Sequence, residues 1–194
     1  MVAVSDATPA VGDASPEISF HGPPEEQARL EHLAREMADA ELRRVAALRG
    51  VPAGEKSAAL AATGEQTELY NLDHSNYAVV VYSARYQTPA SVKAATVATE
   101  EKSQAAASGP ARGWLVTVVA RQNAEGKLTR LYGAVSDPRE MDLYPEIRPV
   151  GMVDAEGYGR HSLLLRQQRR ETVGWMLGRV SGYQMETIFE TSAQ

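Results

Sequence analysis

The chain has 194 residues, a formal net charge of -5 at pH 7, 43% hydrophobic residues and no cysteine. Its length and hydrophobic content suit one globular domain or two small ones. The acidic balance argues against a general nucleic-acid-binding protein, which needs a basic surface to displace counterions from phosphates. The lack of cysteine excludes disulfides, thiolate metal sites and cysteine nucleophiles. No apolar run approaches the roughly 20 residues of a membrane-spanning helix.

Residues 1–22 are predicted to be a disordered tail, because Ala, Pro, Ser, Asp and Gly dominate them. A helix is predicted over residues 23–50. Its start is marked by Pro23-Pro24-Glu25-Glu26: proline lacks an amide proton that would be unpaired there, and the glutamates complement the helix dipole. An apolar stripe runs along this helix, which favours packing against a sheet of the same chain over self-association.

Residues 55–62 are predicted to form one or two helical turns, and the pattern becomes that of β-strands after Gly64. Strands are predicted at 66–72, 77–85, 113–122, 127–135, 146–153, 161–167, 172–180 and 183–190. They form two sets of four, which we interpret as pseudo-repeats 66–135 and 146–190. Residues 86–111 interrupt the first set and are predicted to be a flexible insert, with a marginal helix as the alternative.

These elements predict an α+β, mainly β protein. The long N-terminal helix is expected to pack on a β domain over residues 64–194. That domain consists of two four-stranded antiparallel pseudo-repeats arranged as a sandwich or as blade-like sheets.

The segment Val153-Asp-Ala-Glu-Gly-Tyr-Gly-Arg-His-Ser-Leu-Leu-Leu165 resembles the Asp-x-Asp-x-Asp-Gly-x-x-Asp loop and following strand of FG-GAP (VCBS, integrin-type β-propeller) repeats. In that family the loop often binds Ca²⁺, and the resemblance implies Asp154 and Glu156 as metal ligands. Tyr158 and Ser162 stand where further ligands belong, so the loop falls short of the six or more oxygens that Ca²⁺ takes. We therefore expect no cofactor, with Ca²⁺ as the alternative. The pattern also resembles a β-rich bacterial family in which such a loop precedes two closing strands.

A fainter copy of the loop contains Asp73-His74-Ser75, the residue types of a hydrolytic triad. Adjacent residues point in different directions, whereas triad members must converge from different elements, so a simple turn is favoured. An alternative, hydrolase-type enzyme would use the ionisable residues of both turns, with or without a metal: Asp73, His74, Asp154, Glu156 and His161. The test is whether the two turns meet over a concave pocket.

Eight tyrosines outnumber two phenylalanines, which would suit a contact surface for a protein or a glycan. The favoured interpretation is that the tyrosines are ordinary core and edge residues. Arg160 and the segment Arg166-Gln-Gln-Arg-Arg170 form the most basic local patch, interpreted as solvated charges, with anion binding as the alternative. We expect a non-enzymatic binding domain outside the cytoplasm, periplasmic or secreted, with no nucleic-acid partner.

Overall fold

A computed structural model of the protein describes residues 19–48, 61–72, 77–87, 113–155 and 161–191. These ranges contain one helix and eight strands: α1 (Pro24–Leu48), β1 (Ala61–Tyr70), β2 (Val79–Gln87), β3 (Trp114–Gln122), β4 (Leu128–Val135), β5 (Glu146–Val153), β6 (Ser162–Gln168), β7 (Val173–Ser181) and β8 (Gln184–Glu190). The strands form two four-stranded antiparallel sheets in chain order, β1-β2-β3-β4 and β5-β6-β7-β8. The predicted α+β, mainly β class, with one helix and two four-stranded sheets, is confirmed.

The layers of the molecule follow from the alternation of side chains along β2. Successive side chains of a strand point to opposite faces of its sheet. Val80 and Tyr82 contact the helix in one core cluster. Val79 and Val81 belong to a second cluster, which they share with residues of the second sheet. The first sheet is therefore the middle layer, between α1 and the second sheet.

The apolar buried stripe of the helix, which packs on the first sheet, consists largely of alanine, a small side chain that permits close packing. The stripe repeats every four residues, so its side chains lie on one side of the helix: Leu30, Ala34, Ala38, Leu42 and Ala46. The predicted packing of this helix against its own sheet is confirmed.

Three polar contacts hold the second sheet against the first. The hydroxyl of Thr117 in β3 donates a hydrogen bond to the carbonyl of Ile147 in β5. Arg85 in β2 forms an ion pair of 2.7 Å with Glu146. Arg121 donates to the carbonyl oxygen of Gly182 at 2.9 Å. Because these contacts lie at different places along the interface, they restrict both sliding and rotation of one sheet on the other.

The structure differs from the sequence predictions at the boundaries of the first sheet. β1 begins at Ala61 rather than residue 66, and Gly64 lies inside it with φ of 59°. The pairing with β2 shifts between Thr63 and Gln66, so this glycine marks a β-bulge rather than a strand start. The predicted helical turns at 55–62 were wrong for their last two residues, which begin β1; the others lie outside the described residues.

Two segments that were predicted to lie outside the regular elements extend into residues that belong to the fold. The amide of Phe20 donates to the carbonyl of Leu69 at 3.0 Å, so the end of the predicted tail 1–22 belongs to the fold. Tyr86 and Gln87 are part of β2, so the predicted insert 86–111 overlaps the end of a strand. Residues 1–18 and 88–112 lie outside the described part of the chain.

Candidate functional site

The two Asp-bearing turns are described only at their ends. Asp154 follows β5 and is exposed, and His161 precedes β6 and is half-buried. Asp73, His74 and Glu156 lie outside the described residues. Within the described ranges, no group of three or more His, Asp or Glu residues could hold a metal ion. The Ca²⁺ loop and the hydrolase cluster therefore stay predictions.

Of the tyrosines that the structure describes, three are buried in the core, three are half-buried and one, Tyr183, is exposed. Tyr70, Tyr82 and Tyr86 are each at most 4% exposed. The hydroxyl of Tyr82 donates to the Glu65 carboxylate at 2.9 Å, and that of Tyr86 donates to an Asp39 carboxylate oxygen at 2.7 Å. Burial, followed by the hydrogen bond to Glu65, raises the pKa of Tyr82 to about 12. The interpretation of tyrosines as core residues is confirmed for these three.

Most of the exposed apolar side chains in the described ranges lie on the second sheet. Large hydrophobic residues that are exposed in the described ranges are Leu48, Leu143, Val150, Val173, Trp175, Tyr183 and Phe189. All but the first two lie on strands of the second sheet or in its β7–β8 turn. Among the residues that the structure describes, α1 and the second sheet cover the two faces of the first sheet, whereas only one face of the second sheet is covered, and the exposed apolar surface is concentrated on that second sheet.

The alternation along β7 shows which face these residues occupy. Gly174, Met176 and Gly178 are buried towards the first sheet, whereas Val173 and Trp175 are exposed. A methyl group added at Gly178 would lie 2.0 Å from the terminal carbon of Met185. The glycine therefore leaves room for Met185 on the covered side of β7. The large side chains of this strand point to the uncovered side.

Strand register places these side chains side by side. Leu177 lies opposite Leu164 of β6 and opposite Phe189 of β8, giving an apolar row across three strands. Trp175 lies opposite Arg166 in the neighbouring row. Directly opposite residues have Cβ atoms about 4.5–5.5 Å apart, so they contact one another. We call this surface the outer face; it consists of Arg148, Leu164, Arg166, Val173, Trp175, Leu177 and Phe189.

Two arginines lie in the row of Trp175 on the outer face. Arg148 lies opposite Arg166, and like charges in this position destabilise a sheet. The Arg148 guanidinium is 3.3 Å from the carboxylate of Glu146, which also binds Arg85. Arg166 donates to the side-chain oxygen of Gln168 at 2.9 Å and has no carboxylate partner among the described residues. The sheet thus retains an unfavourable cation pair beside its exposed aromatic residue.

The turn between β6 and β7 adds two further arginines at the end of the outer face. Arg169 donates to the main-chain carbonyl of Asp142. Arg170 donates to the carbonyl of Arg139 at 3.1 Å, and its nitrogen lies 3.9 Å from the Asp142 carboxylate. The patch predicted from the sequence at 166–170 therefore has two parts. Arg166 lies on the outer face, whereas Arg169 and Arg170 bind the loop between β4 and β5.

Sequence reasoning missed Trp175 as a surface residue. A tryptophan within an apolar strand suggests a core position, and the strand prediction did not assign its faces. The signal that could have revealed it is the spacing of Gly174 and Gly178, which occupy alternate positions with Met176. Glycine within a strand often marks a close approach of another part of the protein, and these two glycines share one face of β7, which leaves Trp175 and Leu177 on the opposite face.

Comparison with known proteins gave no match to a family model, to a curated protein or to a solved structure. The likeness to FG-GAP repeats therefore remains a resemblance of sequence pattern. In the described residues, α1 is too polar to be a membrane-crossing helix.

Proposed function

We propose that the protein is a non-enzymatic binding module that holds a protein partner on the outer face of its second sheet. One observation supports this proposal above the others. Val173, Trp175 and Phe189 expose 45%, 39% and 52% of their surface on one sheet face. Monomeric proteins rarely expose contiguous apolar patches of more than a few hundred Å², and larger ones mark interaction sites.

The kinds of side chain favour a protein interface. Aromatic residues and arginine are enriched at such interfaces and supply most of the residues that dominate binding energy. Trp175 with Arg166 beside it is this combination, and Leu177 and Phe189 extend the apolar area. Covering that area would contribute about 25 cal/mol per Å² of apolar surface removed from water.

The polar groups around Trp175 favour a protein over a glycan. Sugar hydroxyls need hydrogen-bond acceptors as well as donors, and guanidinium groups are donors only. The side-chain oxygen of Gln168 already accepts a hydrogen bond from Arg166. A sugar stacked on Trp175 would therefore meet few free acceptors from the neighbouring outer-face residues that the structure describes.

The proposal is tested by selecting binders with and without the outer face. A random peptide display library is selected on the wild-type protein and depleted on Trp175→Ser. Individual peptides are then titrated against both proteins and against Leu48→Ser. Leu48 is 74% exposed at the end of α1, so this control removes an exposed apolar side chain far from the second sheet.

We expect the selected peptides to bind wild type and Leu48→Ser equally. They should bind Trp175→Ser and Phe189→Ser at least about tenfold more weakly, as for side chains at the centre of an interface. The proposal fails if all enriched peptides bind Phe189→Ser as tightly as wild type, or if no peptide is enriched by selection on the folded protein.

A further inference from the structure

We propose that the partner segment bound by the outer face is acidic, with carboxylates beside apolar side chains. This inference rests on the proposed function, and it adds the chemistry of the partner. It is carried by the row of Arg148, Arg166 and Trp175, in which two cations lie opposite each other next to an exposed aromatic ring.

The positions of the two arginines suit the binding of a carboxylate. Arg166 is exposed and lacks a carboxylate partner among the described residues, and the Arg148 side chain is 43% exposed. A carboxylate between them would convert a repulsive pair into two charge-assisted contacts. The fork of a guanidinium also matches the two oxygens of a carboxylate.

The apolar row lies at a fixed distance from this cationic row. Leu164 and Arg166 are two residues apart on β6 and face the same side, so they are about 7 Å apart along the strand. The same spacing separates Leu177 from Trp175 on β7. A segment that carries acidic and apolar side chains a few residues apart can contact both rows at once.

A second copy of this chain fits the outer face less well. In a two-fold symmetric dimer each surface patch meets its own copy. The Arg148–Arg166 pair would then face another cationic pair wherever the two rows met, at the cost of like-charge repulsion. Single-stranded nucleic acid could stack on Trp175, but a groove for it combines cations along the whole strand path with several stacking rings, whereas the outer face has one cationic row beside an apolar row.

The inference is tested with defined polymers in place of the partner. Binding of the full chain is measured by fluorescence anisotropy with four labelled probes: a Glu–Tyr copolymer, a Lys–Tyr copolymer, polyglutamate and oligothymidylate. The Glu–Tyr copolymer offers both acid and aromatic groups. The other three probes respectively reverse the charge, remove the aromatic groups and replace carboxylates by phosphates with bases.

Two charge reversals form the matched pair of variants. Arg166→Glu reverses one cation on the outer face. Arg43→Glu reverses an exposed arginine on α1, on the opposite side of the first sheet from the second sheet. Both change the net charge equally, so a difference between them measures the local contact. Circular dichroism and thermal unfolding establish that both variants are folded.

We expect the Glu–Tyr copolymer to bind at least about tenfold more tightly than each of the other probes, because only it satisfies both rows. Arg166→Glu should weaken this binding about tenfold or more, and Arg43→Glu less than about threefold. Binding should also weaken between about 0.05 and 0.5 M salt.

The failures separate this inference from the proposed function. Equal or tighter binding of the Lys–Tyr copolymer, or no difference between the two charge reversals, overturns the acidic partner. The proposed binding of a protein partner on the outer face would be unaffected if the selected peptides require Trp175 and Phe189. Tighter binding of oligothymidylate than of the Glu–Tyr copolymer would assign the patch to nucleic acid and overturn the inference.

Discussion

The two sheets of this protein have the same strand order and different surroundings. The first sheet is covered on both faces, and β2 is accordingly apolar on both, with Val79, Val80, Val81 and Tyr82 all at most 2% exposed. In the described part of the chain, the second sheet is covered on one face, and β6 and β7 alternate between buried and more exposed residues. A sheet with one solvated face normally places polar residues there. Here that face carries Trp175 and Phe189, and this departure identifies it as the candidate site.

The comparison predicts that equal substitutions have unequal costs in the two regions. Leu30→Ala removes a side chain that is 0% exposed against the first sheet, and should lower the free energy of unfolding by about 2–5 kcal/mol. Leu177→Ala on the outer face should lower it by about 1 kcal/mol. Urea unfolding of both variants measures the two values. Equal losses would mean that the outer face is packed like a core.

Glu41 gives the second prediction, because it is a buried charge between the helix and the first sheet. It is 4% exposed and binds Arg44 at 2.6 Å and Arg130 at 2.9 Å. Glu41→Gln should cost about 1–3 kcal/mol, because the charged hydrogen bonds are lost. The matched control is Glu31→Gln, which alters an exposed carboxylate of the same helix and should change stability by less than about 0.5 kcal/mol. Urea unfolding measures both, and equal values would mean that the buried ion pairs add nothing to stability.

The cost of Glu41→Gln should depend on pH. The hydrogen bond from Arg44, first, and the charge of Arg130 lower the pKa of Glu41 in spite of its burial. The folded state therefore favours the carboxylate, and its stabilising contribution is complete above the ordinary pKa of glutamate. It is lost as the pH falls through the lowered pKa. The stability difference between wild type and Glu41→Gln should shrink in acid; a constant difference would contradict this account.

Thr117→Val gives a smaller predicted effect and tests the junction between the sheets. The substitution keeps the shape of the side chain but removes the donor to the Ile147 carbonyl, which should cost about 1 kcal/mol. Thr129→Val, at an exposed position of β4, is the matched control and should change stability by less than about 0.5 kcal/mol. If chemical denaturation gives the same value for both, the Thr117 hydrogen bond does not help to hold the sheets together.

The smallest expected stability effect belongs to the outer face itself. Phe189→Ser removes a side chain that is 52% exposed, and should change the free energy of unfolding by about 0.5 kcal/mol or less. Its effect should appear in solubility, because an exposed apolar patch promotes association. The measurement is the protein concentration at which precipitation begins, compared with wild type. A large loss of stability without a gain in solubility would assign Phe189 to the core.

The sequence predicted much of the fold, because the period of the apolar residues reports burial directly. The helix was placed by its stripe at Leu30 and Ala34, and the strands by their turns. The start of β1 was missed, because a glycine usually interrupts a strand, whereas Gly64 occupies a bulge within one. The outer face was missed for a different reason: the choice between the two sides of β7 depends on which neighbours cover them, and a single strand does not contain that information.

The central claim is that ligands bind on the outer face, and the two tryptophans of the chain allow a direct test. Trp114 is half-buried and packs against the core beneath α1, whereas Trp175 is 39% exposed on the outer face. In Trp114→Phe and Trp175→Phe, the remaining tryptophan reports on one region alone. Acrylamide quenching of each variant is measured with and without a peptide selected on the wild-type protein. Binding on the outer face predicts that the peptide shields Trp175 in Trp114→Phe and leaves the quenching of Trp114 in Trp175→Phe unchanged. Shielding of Trp114 alone would contradict it.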